Sequence, residues 1–396
     1  MVESKGPLSG IRVVEMTLMV AGPTCGVLLS HLGAEVIKIE TAARGVQDRE
    51  TWNWSETNAG KLGAKINLRY PEGIDLLKQL IAKSDVFFYN MRQKAIDRLG
   101  LDPETLLREV NPNLVIMSMC GPGVTGPEKD FGGVATTFAA LGGVSHLSGF
   151  PGKAPFEFIA WPDIETSNWA TLALLSGLKQ RKRTGKGLFI DVSANEGFAW
   201  LAGETFMDYA MNGRSADRDG HWPPSALQGV YATQGGPGEE RYISIAAPTD
   251  EAWRALCAEI GDPALTNDPR FASVLERLQH RAEIDARIGA WTAELDNVAL
   301  AERLQAKGIA AIPSYSSRQL FESPHLQARH AFDTMTHSIT GKSVTLVGPP
   351  WGFSETPVVS RNVAPLLGQD NAYVFGEILG MPVEEQERLT EAGILT

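Results

Sequence analysis

The chain has 396 residues, 43% of them hydrophobic and 21% charged, with a formal net charge of −11 at pH 7. That length supports two domains and a generous core, and the acidic balance argues against a nucleic-acid binder, which needs a basic surface. Residues 1–6 lack the apolar stretch of a signal peptide, and no run of 18 apolar residues occurs. Cys25, Cys120 and Cys257 share no C-x-x-C spacing, so a cytoplasmic protein without disulfides or membrane contact is expected.

Residues 11–16 read as a buried strand. Residues 21–24 turn into a helix that ends near 32–34, and residues 35–40 form the next strand. Strand, glycine turn, helix and strand within thirty residues make a parallel crossover unit. The turn has no G-x-G-x-x-G, so the dinucleotide fingerprint is missing.

Residues 44–61 read as a long irregular loop, 65–68 as a short strand and 71–82 as a helix opened by Pro71. Strands follow at 85–90 and 114–120, with a helix ending at Val110 between them. Polar and basic residues gather just past the carboxyl ends of these strands, where open parallel sheets bind ligands. Residues 196–211 read as one helix. Residues 214–225 are polar and contain Pro223-Pro224, which suits a linker. A hairpin around residues 235–238, helices from 250 to 307 and a strand at 308–313 then suggest a second domain. Residues 343–358 look like β structure leading back to the first domain, and 383–392 like a terminal helix. His325 and His330, the closest histidine pair, are five apart and do not match a standard ligand spacing, so no metal site is expected.

The most informative stretch runs from Trp161 to Ser193. Ala170, Leu172, Ala173, Leu174, Leu175 and Leu178 carry helical spacing with little polar relief, which predicts a largely buried helix. Lys179, Arg181, Lys182 and Arg183 suit its carboxyl end, and Gly185 and Gly187 stop it. Asp163 falls where the helix begins. It can be a cap, accepting unpaired backbone N–H groups, or a nucleophile, since a carboxylate is ionised at neutral pH and needs no base to activate it. The two roles are compatible.

Several stretches, in this order, resemble the family III CoA-transferases (the CaiB/BaiF family). They include Pro7-Leu8-Ser9-Gly10-Ile11-Arg12-Val13, Ala21-Gly22-Pro23, Leu32-Gly33-Ala34-Glu35-Val36-Ile37-Lys38-Ile39-Glu40 and Asp97-Arg98-Leu99-Gly100-Leu101. Asn111-Pro112-Asn113-Leu114-Val115, Thr125-Gly126-Pro127, Arg183-Thr184-Gly185-Lys186-Gly187 and Ala364-Pro365-Leu366-Leu367-Gly368 complete the set. The resemblance implies an α/β fold: a large Rossmann-like CoA-binding domain from both chain ends (1–213 and 330–396), a smaller middle α+β domain (226–329) and a linker at 214–225. It further implies two interlocked subunits, either a homodimer or a heterodimer with a homologous subunit.

The resemblance makes Asp163 the catalytic nucleophile, one helix upstream of the R-T-G-x-G turn. It maps the CoA contacts to Val20, Ala21, Ile66, Asn67, Leu68, Arg69, Asn90, Met91, Arg92 and Arg98. The arginines suit the phosphates of CoA, which guanidinium forks grip. The implied activity moves CoA from an acyl-CoA donor, with succinyl-CoA the candidate, to a carboxylic acid, aromatic or dicarboxylic, through an aspartyl-CoA thioester. CoA and acyl-CoA enter as substrates, and no tightly bound cofactor is expected.

Backbone amides at Gly142-Gly143 are oxyanion-hole candidates, with close backbone packing the alternative. Trp52, Trp54, Trp161, Trp169 and Trp222 are candidate pocket residues. Two rivals stand beside the transferase. The racemase branch carries a His at the position occupied here by Val134, which cannot take a proton. A CoA-binding, non-catalytic subunit of a heteromeric transferase is the other. The sequence departs from the family at Thr41, where a cation is common, and at Met91, where an aromatic is. Around Asp219-Gly220-His221-Trp222-Pro223-Pro224-Ser225 the family's glycine loop has no clear counterpart.

Overall fold

The computed structural model describes residues 6–42, 49, 51–158, 161–220, 227–236, 239–356 and 362–396. They fall into two compact units: the described parts of 1–145, 157–215 and 330–396, and those of 146–156 and 216–329. The excursion 146–156, assigned from sequence to the first 213 residues, thus groups with the second unit.

The first unit is the expected Rossmann-like sheet. Its elements are β1 (Arg12–Met16), α1 (Ala21–His31), β2 (Glu35–Glu40), α2 (Trp52–Asn58), β3 (Leu62–Lys65), α3 (Pro71–Ala82), β4 (Val86–Tyr89), α4 (Gln93–Arg98) and β5 (Val115–Cys120). Then come α5 (Ala135–Leu141), α6 (Trp161–Thr184), β6 (Leu188–Ser193), α7 (Ala194–Leu201) and α8 (Gly203–Asn212). All strand pairs are parallel, in the order β3-β2-β1-β4-β5-β6. The order reverses between β1 and β4, so the crevice for a ligand opens beyond their carboxyl ends.

Strand continuity follows from burial on both faces. β4 and β5 are buried at every position, as helices on both sides of a parallel sheet require. One apolar cluster gathers Val14, Ile37, Ile66, Leu77, Phe87 and Ile116, and another gathers Val13, Cys25, Val36, Phe88, Val115 and Leu174.

Four sequence expectations need correction. Residues 52–58, read as irregular, are helical, with the Thr51 hydroxyl accepting from the Trp54 N–H at 3.3 Å. The third strand is 62–65, not 65–68. Gly63 and Ala64 carry little strand propensity, but Gly63 fits beneath Pro365 and Leu366, where a side chain would collide. The helix at 196–211 is two helices broken at Ala202. Finally, α6 is not buried all round. Its buried residues Pro162, Thr166, Ser167, Ala170, Thr171, Leu174, Gly177 and Leu178 form one stripe, while Leu172 is 64% exposed. The end of α6 is as expected: Gly185 sits at φ +69° and donates to the Arg181 carbonyl.

The second unit is α+β. β7 (Gln228–Thr233), β8 (Arg241–Ala246) and β9 (Ala310–Ser314) form an antiparallel sheet. It packs on helices that include α9 (Asp250–Ile260), α10 (Arg281–Thr292) and α11 (Asn297–Gln305) around Ile243, Trp253, Ile288 and Leu304. The chain then returns to the first unit through the antiparallel pair β10 (Phe332–Thr336) and β11 (Ser343–Val347).

A helical segment, Ala372–Ile378, and α12 (Val383–Glu391) complete the first core with Val374, Phe375, Ile378 and Leu389. The returning chain also seals the edge strand β3. Asp370 Oδ2 accepts from the Gly63 N–H at 2.7 Å, Asn371 Oδ1 accepts from the Lys65 N–H at 2.9 Å, and the Asp370 N–H donates to the Gly63 carbonyl at 3.0 Å. Side chains thereby occupy the row of donors that an open edge presents.

Candidate active site

Two helices set the position of Asp163. α6 runs alongside α1 in matched four-residue steps. Ser167 Oγ lies 2.7 Å from the carbonyls of both Asp163 and Ala21, and Thr171 Oγ1 lies 3.4 Å from Cys25 Sγ. One step earlier, the same register sets the turn bearing Asp163 over the loop from β1 to α1.

Asp163 is the third residue of α6, inside the helix rather than at its cap. Among the described residues no donor reaches its carboxylate; residue 160, at the N-cap itself, lies outside them. Half-buried without compensation, the carboxyl has its pKa pushed from 3.8 up to about 6 by desolvation. At neutral pH it is ionised but poorly solvated.

The loop beneath it is strained and clasped. Met19 adopts φ +65°, a left-handed conformation unusual for a side chain with a Cβ. Asn90 grips its neighbour from β4: the Leu18 N–H donates to Asn90 Oδ1 at 2.9 Å, and Asn90 Nδ2 donates to the Leu18 carbonyl at 2.8 Å. Val20 stands at the N-cap of α1 and supplies no side-chain cap, and Pro23 supplies no N–H.

Nine of the ten expected CoA contacts follow the carboxyl ends of strands, in two groups, and Arg98 lies apart from them. Val20 and Ala21 after β1, and Asn90, Met91 and Arg92 after β4, flank the switch point. Arg92 is exposed at the N-cap of α4, and a Cβ on Gly132 would strike its guanidinium. Arg98, exposed in the last turn of α4, is about 9 Å further along that helix. The second group, Ile66 to Arg69 after β3, lies two strands from β1, about 10 Å along the edge.

Within that second group two side chains face inward. Ile66 is core. The Asn67 amide is spent: its Nδ2 donates to the Gly393 carbonyl at 3.2 Å and its Oδ1 accepts from the Arg69 N–H at 3.2 Å. Leu68 is half-buried and Arg69 exposed.

Gly142 and Gly143 do not form an oxyanion hole. Their N–H groups end α5 by donating to the carbonyls of Phe138 at 2.9 Å and Ala140 at 3.1 Å, and Gly142 is packed against Phe198. Trp54 is core, stacked under the Arg49 guanidinium at 4.0 Å. Trp161 meets Phe158 and Phe198 with ring centres 5.2 and 6.3 Å away, and Trp169 meets Trp200 edge-on at 4.9 Å. The side chains of Trp52 and Trp222, and residues 221–225 of the expected acceptor loop, lie outside the described residues.

Sequence reasoning missed a buried charge cluster under the β1–α1 loop. Glu15, Lys38 and Lys61 are almost wholly inaccessible to solvent, and the register of β1 on β2 sets Glu15 opposite Lys38. The signal was present: Glu15 and Lys38 each interrupt an apolar run inside a strand, Val13–Met16 and Val36–Ile39.

A doubly wound parallel sheet of this order, with a half-buried carboxylate over the β1–α1 loop and Arg92 following β4, has the form of the α/β proteins that bind ligands at strand ends. Residues 8–371 match the sequence profile of CoA-transferase family III. The chain belongs to that family and is a CoA-transferase, acting on CoA thioesters.

The chain is 32% identical over 390 residues to the succinyl-CoA–D-citramalate CoA-transferase of Chloroflexus aurantiacus, covering 96% of each chain. It is 29% identical to the succinate–glutarate CoA-transferase of Agrobacterium fabrum, covering 94% of this chain and 96% of the other. A crystal structure of a CaiB/BaiF family protein from Brucella suis superposes with a TM-score of 0.84 at 29% identity, covering 94% of this chain and 99% of that one.

Proposed function

We propose that this enzyme transfers CoA from succinyl-CoA to a second dicarboxylic acid through a thioester formed on Asp163. The observation that carries the reading is the state of Asp163: a desolvated carboxylate with no hydrogen-bond donor among the described residues, held over a strained loop at the switch point of the sheet. Desolvation strengthens an anionic nucleophile. The names of the relatives, acting on citramalate, malate and glutarate, support four- or five-carbon dicarboxylates as acceptors. An aromatic acceptor loses one argument, because Trp54 packs into the core.

The steps conserve charge and need no proton. An Asp163 oxygen adds to the thioester carbonyl, the C–S bond breaks, and CoA thiolate leaves a succinyl-aspartyl anhydride. The thiolate adds to the aspartyl carbonyl and expels succinate, giving the aspartyl-CoA thioester. The acceptor carboxylate then adds to that carbonyl and releases thiolate again. The thiolate attacks the acceptor's carbonyl and frees Asp163 as a carboxylate. The protein's contribution is alignment, exclusion of water from the anhydride, and backbone N–H donors for the oxyanions. The uncapped start of α1 at Ala21 and Gly22 offers such donors. Arg92 and Arg98 suit the CoA phosphates.

The enzyme acts as a dimer in this reading. Trp200 is 70% and Met211 74% exposed, with Phe206, Met207 and Tyr209 beside them on α7 and α8. An apolar surface of that kind marks an interaction site.

The test incubates the purified protein with succinyl-CoA and a panel of acids, with mass detection of new thioesters, and adds hydroxylamine to trap the acyl-enzyme. New dicarboxyl-CoA products and a hydroxamate on the peptide carrying Asp163 are expected. A label on another residue, or product formation by Asp163→Asn at the wild-type rate, overturns the mechanism.

A further inference from the structure

The buried cluster under the β1–α1 loop has no role in the steps above, and it ties that loop to β2 and to the end of α2. Lys38 Nζ donates to Glu15 Oε1 at 3.0 Å and to the Thr17 carbonyl at 3.1 Å. Lys61 Nζ sits 3.0 and 2.8 Å from the two Glu15 oxygens, and donates to the carbonyls of Pro23 at 2.7 Å and Thr57 at 2.9 Å. Thr17 Oγ1 donates to Glu15 Oε1 at 2.7 Å. A Cβ on Gly26 of α1 would land on the Glu15 carboxylate, so the helix is cut away to admit the charge.

Two ammonium groups thus share one carboxylate. They hold the Glu15 carboxyl below its usual range against the cost of its burial, while burial pulls Lys61 down to about 7. A fully apolar core is often as stable as a buried ion cluster or more so. Stability alone therefore gives little reason for three charges here. Their targets do: Lys38 holds the Thr17 carbonyl where the loop leaves β1, and Lys61 holds the Pro23 carbonyl in the first turn of α1. Between those ends, Asn90 holds Leu18 and Ser167 meets the Ala21 carbonyl. Four carbonyls of the segment from Thr17 to Pro23 are thereby turned onto fixed side-chain donors, around the strained Met19.

We propose that Glu15, Lys38 and Lys61 are positioning residues for acyl transfer: they clamp Thr17–Pro23, the β1–α1 loop and the first turn of α1, from beneath, so that its backbone and the Asp163 carboxylate keep one relative geometry. They touch no reacting atom. This inference rests on the assignment of Asp163 as nucleophile, because the rate it concerns is that of adduct formation there.

Thr17 gives a test that leaves every charge in place. Thr17→Val keeps the shape and the methyl contact with Gly22 but removes the bond to Glu15, whereas Thr17→Ser keeps the hydroxyl. Thr17→Val is expected to slow single-turnover labelling of Asp163 by succinyl-CoA about tenfold, as loss of near-attack alignment does. CoA affinity should stay within about twofold, and Thr17→Ser should recover most of the rate. Lys61→Met is expected to do the same more severely. Hydrogen exchange across residues 17–24 should accelerate in both slow variants, while strands β4 and β5 stay protected.

Wild-type labelling rates and unchanged exchange in Thr17→Val overturn the proposal, whether or not Lys61→Met folds. If wild-type protein takes no label at Asp163, the nucleophile assignment fails instead. The exchange data then still decide whether the cluster clamps the loop.

Discussion

Replacing Asp163 with Asn preserves volume and removes the charge, so it separates two effects that act in opposite directions. The carboxyl titrates at 3.8 when solvated and at about 6 in the fold, raised by burial. Between those values the folded chain binds the extra proton, so stability falls as pH rises through the window, and above it the full penalty is present. At 1.36 kcal/mol per unit the shift amounts to about 3 kcal/mol. Partial solvent access cuts this to about 1–2 kcal/mol. Attraction between a first-turn carboxylate and the helix dipole opposes it by only about 0.5 kcal/mol. Desolvation wins. Asp163→Asn should therefore be more stable than wild type by about 1 kcal/mol at pH 7.5, with the gap shrinking toward pH 4.5, while CoA transfer falls by orders of magnitude. Urea midpoints of both proteins at the two pH values, beside a transfer assay, measure this. A variant less stable than wild type at pH 7.5, or a gap that does not change with pH, would mean that the carboxylate supports the helix and is not held there at a cost.

Gly26→Ala places a methyl group on the Glu15 carboxylate and should lower stability by about 3 kcal/mol or more, since the buried ion cluster has no room to relax; an unchanged urea midpoint would contradict the packing described. Arg98→Ala should raise the Kd for CoA about tenfold or more, the worth of one charge-assisted hydrogen bond, with circular dichroism unaltered. Titration calorimetry showing equal affinity removes Arg98 from the site. Trp200→Lys on the apolar face of α7 should yield a monomer by light scattering at micromolar concentration; a dimer that survives the change forms elsewhere.

Much of the first unit was legible because its central strands are buried on both faces and read as near-continuous apolar runs. β2 was placed to the residue and α3 was bounded by Pro71 at its start. β3 was misplaced because Leu62-Gly63-Ala64-Lys65 owes its strand state to the pairing with β2 and the chain laid over it, neither of which is local. α2 was hidden because tryptophan and asparagine are indifferent helix formers, and Thr51 alone signalled its start. The position of Asp163 near a helix terminus was visible. Whether it sits at the cap or inside that helix depends on an offset of three residues, finer than sequence patterns resolve. The buried cluster shows the same limit: Glu15 and Lys38 each stand out within an apolar strand, but only the register shows that they face each other, and only the fold brings Lys61 beneath them.

The sealing of β3 by Asp370 and Asn371 has a consequence in time. Those bonds span 307 and 306 residues of sequence, and on a ribosome the chain between them emerges at about 5–20 residues per second, so the strand waits roughly 15–60 s for its cover. During that interval the edge donors of Gly63 and Lys65 are open, and the apolar surface that later meets Val374 and Phe375 is bare. An unpaired edge beside exposed apolar surface recruits other strands. Synthesis of this enzyme thus carries a window of vulnerability set by the length of the inserted second unit, and its yield should depend on translation speed and on chaperones that hold a half-finished sheet.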